Sequence, residues 1–579
     1  MTVPPAAPSV AQRRRLTAVA RGAAPADLYV RGGTLLNVYT GEIHPANVAT
    51  AGERIAYVGP RDDMVGPRTA TLDAGGRILV PGYIDPHVHP AHVVTPSSLA
   101  RHLLPLGTTT VFADTLQIWE LGGLRAFRRV ADALARSPLK FYWMIRVHAQ
   151  ARSRDEPRRY RPADIARALA HPWSFAAGEV TRWPEVWRGR RDLLSRLDLA
   201  LRRGQRVEGH TAGAAADRIG ALAAGGLTSD HEPITASEVL DRARQGIAVM
   251  LRESSLRPDL AGLLDALKAA PALASRLMLT ADGSMPAFIR DHGFVDHLVR
   301  VALERGIPPI DAYRMATLNP ATYLGRDGDL GGIAPGRFAD LCMLRDLAEP
   351  RPEVVVARGR LAARAGRVLV DVPEPDWRRA FTTPEARLTV RWRARPDDFR
   401  LPTRATYPVV RLVSAVITRL EQRALGEGDL HAALIDRGGR WVAPGVVAGF
   451  GDRLDGLAST ITTDFNILVL GRRPEAMARA VNRLLDVRGG VVVLAGARVA
   501  FEMPMPLGGV MTRAGLLEAA GQEDALRATL VARGYPHHEP LFTLFFLAAD
   551  FLPFVRLSPR GVWDVKQGRV LLPRRARRG

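Results

Sequence analysis

Three side chains that can bind a metal or move a proton alternate along one short segment, PGYIDPHVHPAH, at residues 81 to 92. Asp85, His87 and His89 stand two residues apart, and His92 follows them. Because residues two apart on a β-strand point to the same face, a strand here would direct the carboxylate and both imidazoles to one point. The spacing is typical of a metal site, although a polar turn rich in histidine would give the same letters.

Acids and histidines also close five later apolar runs that have the length of strands. These closing residues are Glu179, His210, the trio Asp230, His231 and Glu232, the pair Arg252 and Glu253, and Asp282. Together with the first segment they supply four histidines and two carboxylates from five strand ends, with no sulfur, a ligand set that suits Zn²⁺, Mn²⁺ or Fe²⁺. Six ligands predict a pair of divalent ions.

Two kinds of residue could bridge the ions of such a pair, and the sequence favours a glutamate, Glu179. The alternative bridging ligand in related barrels is a carboxylated lysine. Lys140 opens its strand instead of closing it, which places it at the opposite face, and Lys268 lies in a helical segment. Glu179 closes the fourth strand and is the expected bridge, the alternative being an acid on the surface.

Short apolar strands separated by segments of helical length fill residues 81–330. The eight strand candidates are RILVPGYID, TTTVFAD, KFYWMIRVHA, SFAAGEV, RVEGHT, LTSDHE, IAVMLRE and LMLTADG. Eight β/α units over about 250 residues predict an α/β fold, a closed (β/α)₈ TIM barrel, whose chemistry lies at the carboxyl ends of its strands. The candidate ligands all fall at that end.

The segments around the barrel predict two further domains. Residues 27–80 alternate short β-like runs with glycine turns, and residues 331–374 return to the same pattern, which predicts one small composite β-sheet domain. Residues 375–579 combine strands such as NILVLG with helices such as PEAMARAVNRLLD and predict an additional C-terminal α+β domain. Residues 1–26 form a polar N-terminal extension.

Composition argues against several other kinds of protein. The net charge is +21, but the arginines are scattered, and their clusters at 13–15, 158–161 and 574–578 are interpreted as solvated surface, so no nucleic-acid partner is expected. The single cysteine, Cys342, excludes an intramolecular disulfide and favours a reducing compartment. No secretory signal and no apolar run of about 20 residues is present, so we expect a cytoplasmic protein without a membrane partner.

Several motifs resemble those of one enzyme family. PGYIDPHVHP is similar to the first-strand metal motif of the amidohydrolase superfamily, and LLPLGTTTVFAD, GHTAG, GLTSDHEPIT, DAYRMATLNPA and GGIAPGRFADL narrow the resemblance to the adenine deaminase family. The likeness continues past the barrel, where MARAVNRLLDVRGG and MPLGGVM resemble that family's C-terminal domain. It covers roughly residues 27 to 570.

The resemblance implies a binuclear metal site and a hydrolytic activity. The expected reaction is deamination of adenine or a related aminopurine by metal-activated hydroxide, giving hypoxanthine or the oxo product and ammonia. A homo-oligomer is expected because family members commonly assemble. In this sequence one ion would be held by His87, His89 and Asp282, the other by His210 and His231, and both by the bridging Glu179.

Other polar residues at the strand ends have expected roles beside this set. Asp282 would act as general base and then general acid. Glu232 would contact a ring nitrogen or orient a ligand, with a purely supporting role equally open. Asp85 is expected to support the ligands, and Arg252 and Glu253 are expected to form a salt bridge without contacting substrate.

The sequence departs from the family pattern where substrate contacts are expected. Residues 90–93 are Pro-Ala-His-Val where the family has acidic and serine residues, and residues 114–117 are Asp-Thr-Leu-Gln in place of Asp-Pro-His-Glu. Asp282 is followed by Gly283 and Ser284 instead of a second Asp and an Arg. A site discriminates by its hydrogen-bonding groups, so these changes leave two alternatives open: an amidohydrolase opening a cyclic amide or amidine, and a non-catalytic barrel scaffold.

Overall fold

A computed structural model describes residues 8–152 and 155–577. Its central element is a sheet of eight parallel strands in chain order, with the ends of the first and last strands joined by a bridge between Val88 and Asp282. Both faces of these strands are buried, as parallel sheets require, and the predicted (β/α)₈ barrel is confirmed. The strands are Tyr83–Val88, Thr108–Asp114, Lys140–Ile145, Ser174–Val180, Arg206–Gly209, Ser229–Asp230, Ala248–Arg252 and Leu277–Thr280.

Amphipathic helices surround the barrel. Val295–Glu304 shows the pattern, because Val295, Leu298, Val299 and Ala302 recur at helical spacing and are buried. None of the helices in the described part of the chain has the length and hydropathy needed to cross a membrane. The longer barrel helices are Pro96–Leu103, Leu116–Leu134, Pro162–Leu169, Arg191–Leu201, Ala216–Ala224, Ala236–Arg244, Pro286–His292, Val295–Glu304, Pro309–Met315 and Leu318–Leu324.

A second sheet contains strands from both sides of the barrel. The predicted first barrel strand, RILVPGYID, is in fact two strands that belong to different sheets and are separated by Gly82. A Cβ on Gly82 would lie 2.4 Å from Thr109 Oγ1, so only glycine allows this close approach. The second sheet consists of Leu28–Leu36, Ile43–Ala51, Arg54–Gly59, Ala70–Asp73, Ile78–Pro81, Leu341–Leu344, Val354–Ala357, Arg360–Arg364 and Arg367–Val368.

The N-terminal segment forms a helix, Val10–Ala20, that the sequence did not predict. Ser9 caps it by accepting a hydrogen bond from the backbone N–H of Gln12, and the Gln12 side chain accepts from the backbone N–H of Ser9. Val19 is buried in a cluster with Tyr29 of the second sheet. The arginines at 13–15 therefore lie on the outer face of a packed helix.

The C-terminal part contains a nine-stranded mixed sheet, a small three-stranded sheet and three longer helices. The large sheet consists of Tyr407–Leu412, Thr418–Arg423, Leu430–Ile435, Trp441–Ala448, Gly456–Ser459, Ile467–Gly471, Gly490–Ala495, Arg498–Pro504 and Arg575–Ala576. The small sheet consists of Val555–Ser558, Gly561–Asp564 and Arg569–Pro573, and the helices are Pro474–Asp486, Leu516–Val531 and Pro540–Phe546.

This C-terminal part packs against loops that follow the barrel strands. Val93, four residues after the second motif histidine, accepts a hydrogen bond from the backbone N–H of Thr512 at 2.7 Å and donates its own N–H to Val510 at 2.9 Å. The Asp550 carboxylate accepts from the backbone N–H of Arg152 at 2.9 Å. Both contacts lie at the carboxyl ends of the strands, so the C-terminal part covers the mouth of the barrel.

Gly359 connects two strands of the second sheet and offers a test of how tightly that sheet is assembled. Its φ is +70°, and an added Cβ would lie 2.2 Å from the carbonyl oxygen of Gly52. Gly359→Ala should lower the Tm more than Gly366→Ala, because Gly366 has a φ of +75° with nothing within 4 Å of its Cβ position. Both variants carry a backbone cost of about 1 kcal/mol, and the clash adds about 2 kcal/mol at Gly359 alone. Equal Tm values for the two variants would contradict the close approach of Gly359 to Gly52.

Candidate functional site

Asp85 joins the ends of the first and last barrel strands. Its Oδ1 accepts hydrogen bonds from the His87 backbone N–H at 3.0 Å and from Thr280 Oγ1 at 2.8 Å, and its Oδ2 accepts from the Ala281 N–H at 2.9 Å. Burial raises the pKa of Asp85 to about 7. These contacts fix the segment carrying His87 against the segment carrying Asp282.

The Asp282 carboxylate lies beside both histidines of the motif. Its Oδ1 is 3.2 Å from His89 Nε2 and 3.5 Å from His87 Nε2, and the two Nε2 atoms are 3.2 Å apart. The backbone of Asp282 has a φ of +50°, a left-handed conformation that aspartate tolerates better than most residues. This turn follows the last strand and places the Asp282 side chain beside the two imidazoles.

The Glu179 carboxylate lies between two groups of histidines. Its Oε1 is 2.5 Å from His210 Nδ1 and 3.9 Å from His231 Nε2, while its Oε2 is 3.7 Å from His89 Nε2. His210 Nδ1 and His231 Nε2 are themselves 3.3 Å apart. One carboxylate therefore presents an oxygen to each of two donor groups.

These side chains form a donor set that fits divalent cations. Three overlapping groups of donors have ligand atoms within 4.8 Å of one another. All donors are imidazole nitrogens or carboxylate oxygens, the ligands preferred by Zn²⁺, Mn²⁺ and Fe²⁺. The three groups are His87, His89 and Glu179; His87, Glu208 and His231; and Glu179, His210 and His231.

Neighbouring carboxylates control protonation of the histidines. Burial opposes the charged form of His87, but the Glu208 carboxylate, 2.5 Å from His87 Nδ1, raises the pKa of His87 to about 10. Burial also opposes the charged form of His210, where Glu232 and Glu179 raise the pKa to about 9. A cation that binds these nitrogens competes with protons, so metal binding here would release protons and would strengthen as pH rises.

Two residues at the centre of the site were not predicted from the sequence. Glu208 lies in the fifth strand, Arg206–Gly209, and precedes His210 by two residues, a spacing to which the period-two rule could have been applied. Arg146 directly follows the third strand, and its Nη2 donates to Glu179 Oε2 at 2.6 Å and to Asp114 Oδ2 at 2.5 Å. A lone arginine has no spacing signal, so only the structure reveals this contact.

The predicted salt bridge between Arg252 and Glu253 is wrong. Arg252 Nη1 donates instead to Glu232 Oε1 at 2.6 Å and to Asp282 Oδ2 at 2.8 Å. Successive residues of a strand point to opposite faces, which separates the two side chains. Glu253 accepts a hydrogen bond from the backbone N–H of Leu260 at 3.2 Å.

The structure brings all six expected ligands to one end of the barrel and places Glu232 beside them. Glu232 Oε1 lies 3.4 Å from His210 Nδ1, and its Oε2 accepts from Arg257 Nη1 at 2.8 Å. Lys140 begins its strand and its Nζ lies 2.7 Å from Asp340 Oδ2, away from the donor set. The aromatic ring of Phe551 contacts the outer side of the set, edge to face with His210 at 5.9 Å between centroids.

Comparisons with known proteins match both halves of the chain. Residues 78–362 match the amidohydrolase family, and residues 414–569 match the adenine deaminase C-terminal domain. A putative adenine deaminase from Halalkalibacterium halodurans is 33% identical over 577 residues, covering 97% of each chain. Adenine deaminases from Rubrobacter xylanophilus (35% identical, covering 95% of each chain) and Moorella thermoacetica (33%, covering 96% of this chain and 97% of the relative) are also similar.

The contact between Arg146 and Glu179 predicts that Arg146 supports metal binding without being a ligand. Arg146→Ala should lower the affinity for added Zn²⁺ or Mn²⁺ by about 10- to 100-fold, because the carboxylate between the two donor groups loses the partner that orients it. Titration of the purified protein followed by elemental analysis measures this change. Arg358→Ala is the control, since Arg358 is also buried but pairs with Glu53. Equal metal affinity in the two variants would contradict the prediction.

Proposed function

This chain belongs to the adenine deaminase family of the amidohydrolase superfamily, and from that premise we propose that it hydrolyses adenine or a closely related aminopurine, releasing ammonia. The reaction replaces the exocyclic amino group by an oxygen from water. The product from adenine is hypoxanthine. The protein is therefore a hydrolase that acts on a C–N bond of a cyclic amidine.

The observation that carries the proposal is the position of Glu179 between two donor groups. We propose that His87, His89 and Asp282 hold one divalent ion, that His210 and His231 hold a second, and that Glu179 contacts both. Mn²⁺, Fe²⁺ and Zn²⁺ all suit these ligands. When bound, such ions lower the pKa of a water molecule so that hydroxide is available at neutral pH.

Asp282 is the residue best placed to move protons in this reaction. Burial opposes its ionisation, but the hydrogen bond from His89 and the charge of Arg252 hold the pKa of Asp282 well below its usual range. Asp282 is therefore a carboxylate at neutral pH and can accept a proton from the attacking water. The same carboxyl then donates that proton to the departing amino nitrogen.

Glu232 is proposed to maintain the geometry of the site through its two arginine partners. Its two oxygens accept from Arg252 and Arg257, respectively, and Arg252 also donates to Asp282. A carboxylate held by two guanidinium groups is fixed in orientation. Glu232 thereby sets the position of Arg252 and, through it, the position of Asp282.

A second reaction class is favoured by three residues that follow barrel strands. Gln117 replaces an expected acid, and its Oε1 is buried without a hydrogen-bond partner in the described part of the chain. Gly283 and Ser284 likewise replace charged residues of the family pattern. These changes suit hydrolysis of a neutral cyclic amide or amidine as the alternative to deamination.

The direct test measures turnover of a panel of aminopurines, cyclic amides and cyclic amidines by protein loaded with Mn²⁺, Fe²⁺ or Zn²⁺. Adenine should be converted to hypoxanthine with one ammonia released per molecule, measured by coupled ammonia assay and mass spectrometry. Cyclic amides and amidines in the same panel separate the alternative, because ring opening adds one water without releasing ammonia. Absence of ammonia from adenine and every other aminopurine would refute the proposed deamination.

Asp282→Asn should lower kcat by about 100-fold or more, because the amide can neither accept nor deliver the transferred proton. Glu253→Gln is the matched control, since Glu253 also follows a barrel strand but contacts the backbone of Leu260. Steady-state kinetics with elemental analysis of both variants measures the effect at known metal content. A kcat for Asp282→Asn within a few-fold of the control, at equal metal content, would exclude the proton-transfer role.

A further inference from the structure

His92 follows the motif histidines and is held in place by the C-terminal part of the chain. Its ring lies 4.9 Å from the ring of Phe545 and 6.1 Å from that of Phe542, measured between centroids. The next residue, Val93, makes the backbone hydrogen bonds to residues 510 and 512 described above. Ring contacts and the backbone hydrogen bonds of the next residue together fix the position of the His92 imidazole.

The Nε2 atom of His92 is enclosed by protein and has no hydrogen-bond partner in the described part of the chain. Burial lowers the pKa of His92 to about 3, so the imidazole is neutral and offers one N–H and one acceptor nitrogen. Buried polar atoms in folded proteins are nearly always paired, and leaving one unpaired costs about 1–3 kcal/mol. An unpaired nitrogen beside a catalytic centre is therefore a candidate for contact with a ligand.

His92 lines the same cavity as His89 and Asp282. The rest of the wall is mainly apolar, with Val94, Leu99, Ile289, Phe294 and Leu516. The enclosed space is only about 10 Å³, so a heterocycle can be admitted only when side chains around it move. Leu516 belongs to the C-terminal part, so both parts of the chain contribute to this wall. An apolar wall with one neutral imidazole suits a flat, uncharged ring.

We propose that His92 is a specificity residue, whose Nε2 hydrogen-bonds a ring nitrogen of the aminoheterocycle while Asp282 acts at the exocyclic amino group. The inference rests on the proposed function and deepens it, because it names the group that distinguishes one heterocycle from another. A contact to a ring nitrogen selects against an otherwise identical ring in which that nitrogen is a C–H. A hydrogen bond of this kind contributes about a 10- to 100-fold preference.

The test compares adenine with its 1-deaza, 3-deaza and 7-deaza analogues, using metal-loaded wild type, His92→Phe, His92→Gln and His102→Phe. His92→Phe keeps an aromatic ring against Phe545 but has no ring nitrogen, whereas His92→Gln retains a hydrogen-bonding group. His102→Phe is the matched control, because His102 lies on the helix Pro96–Leu103 and does not line this cavity. Elemental analysis establishes equal metal content, and the readout is the ratio of kcat/KM between adenine and each analogue.

We expect the substitution of His92 to change the kcat/KM ratio for one analogue only. Wild type and His102→Phe should disfavour one deaza analogue by about 10- to 100-fold more than His92→Phe does, because the intrinsic reactivity of each ring is the same for every variant, and His92→Gln should retain part of this extra preference. Unchanged ratios in His92→Phe, or an equal loss on all four compounds, would overturn the role of His92.

The proposed function and the role of His92 can fail separately. If wild type does not deaminate adenine, the proposed function fails, and equilibrium binding of the same four compounds to wild type and His92→Phe replaces turnover as the measure. A selective loss of binding preference in His92→Phe then supports the role of His92. Absence of any binding, or the same preference in both proteins, overturns it.

Discussion

The buried carboxylate of Glu179, shared between two groups of histidines, is the interaction on which the remainder of this site depends. A carboxylate taken out of water is costly unless cations and hydrogen-bond donors surround it. Arg146 supplies a guanidinium to one oxygen, and His210 contacts the other. Burial opposes ionisation of Glu179, but Arg146 and His210 hold the pKa of this carboxyl well below its usual range. The orientation that they impose is the one that the proposed pair of metal ions would require.

The barrel makes that arrangement possible by placing strand ends side by side. Asp85 connects the first strand to the last, so His87 and Asp282 come within reach of one another although nearly 200 residues separate them in sequence. Arginines beside the donor set offset the negative charge of its acids. Arg252 contacts both Glu232 and Asp282, which couples the position of the proposed proton carrier to the sixth strand.

The C-terminal part contributes to the same centre without supplying any of the six proposed ligands. It covers the mouth of the barrel through backbone hydrogen bonds at Val93 and through rings that contact His92 and His210. Closing such a site excludes water and strengthens the electrostatic interactions inside it. The segment after the motif histidines, where the sequence departs from the family pattern, is also the segment that this cover holds.

The sequence by itself determined the barrel and the residue types at its strand ends, because periodicity is a local property and side chains two apart on a strand share a face. It also indicated the family through motifs at both ends of the chain. It did not reveal the change of sheets at Gly82, the helix Val10–Ala20, the contact of Arg146 with Glu179, or the true partners of Arg252. Those features depend on which distant atoms meet when the barrel closes and the C-terminal part packs on it, and only the tertiary structure decides which charges are neighbours.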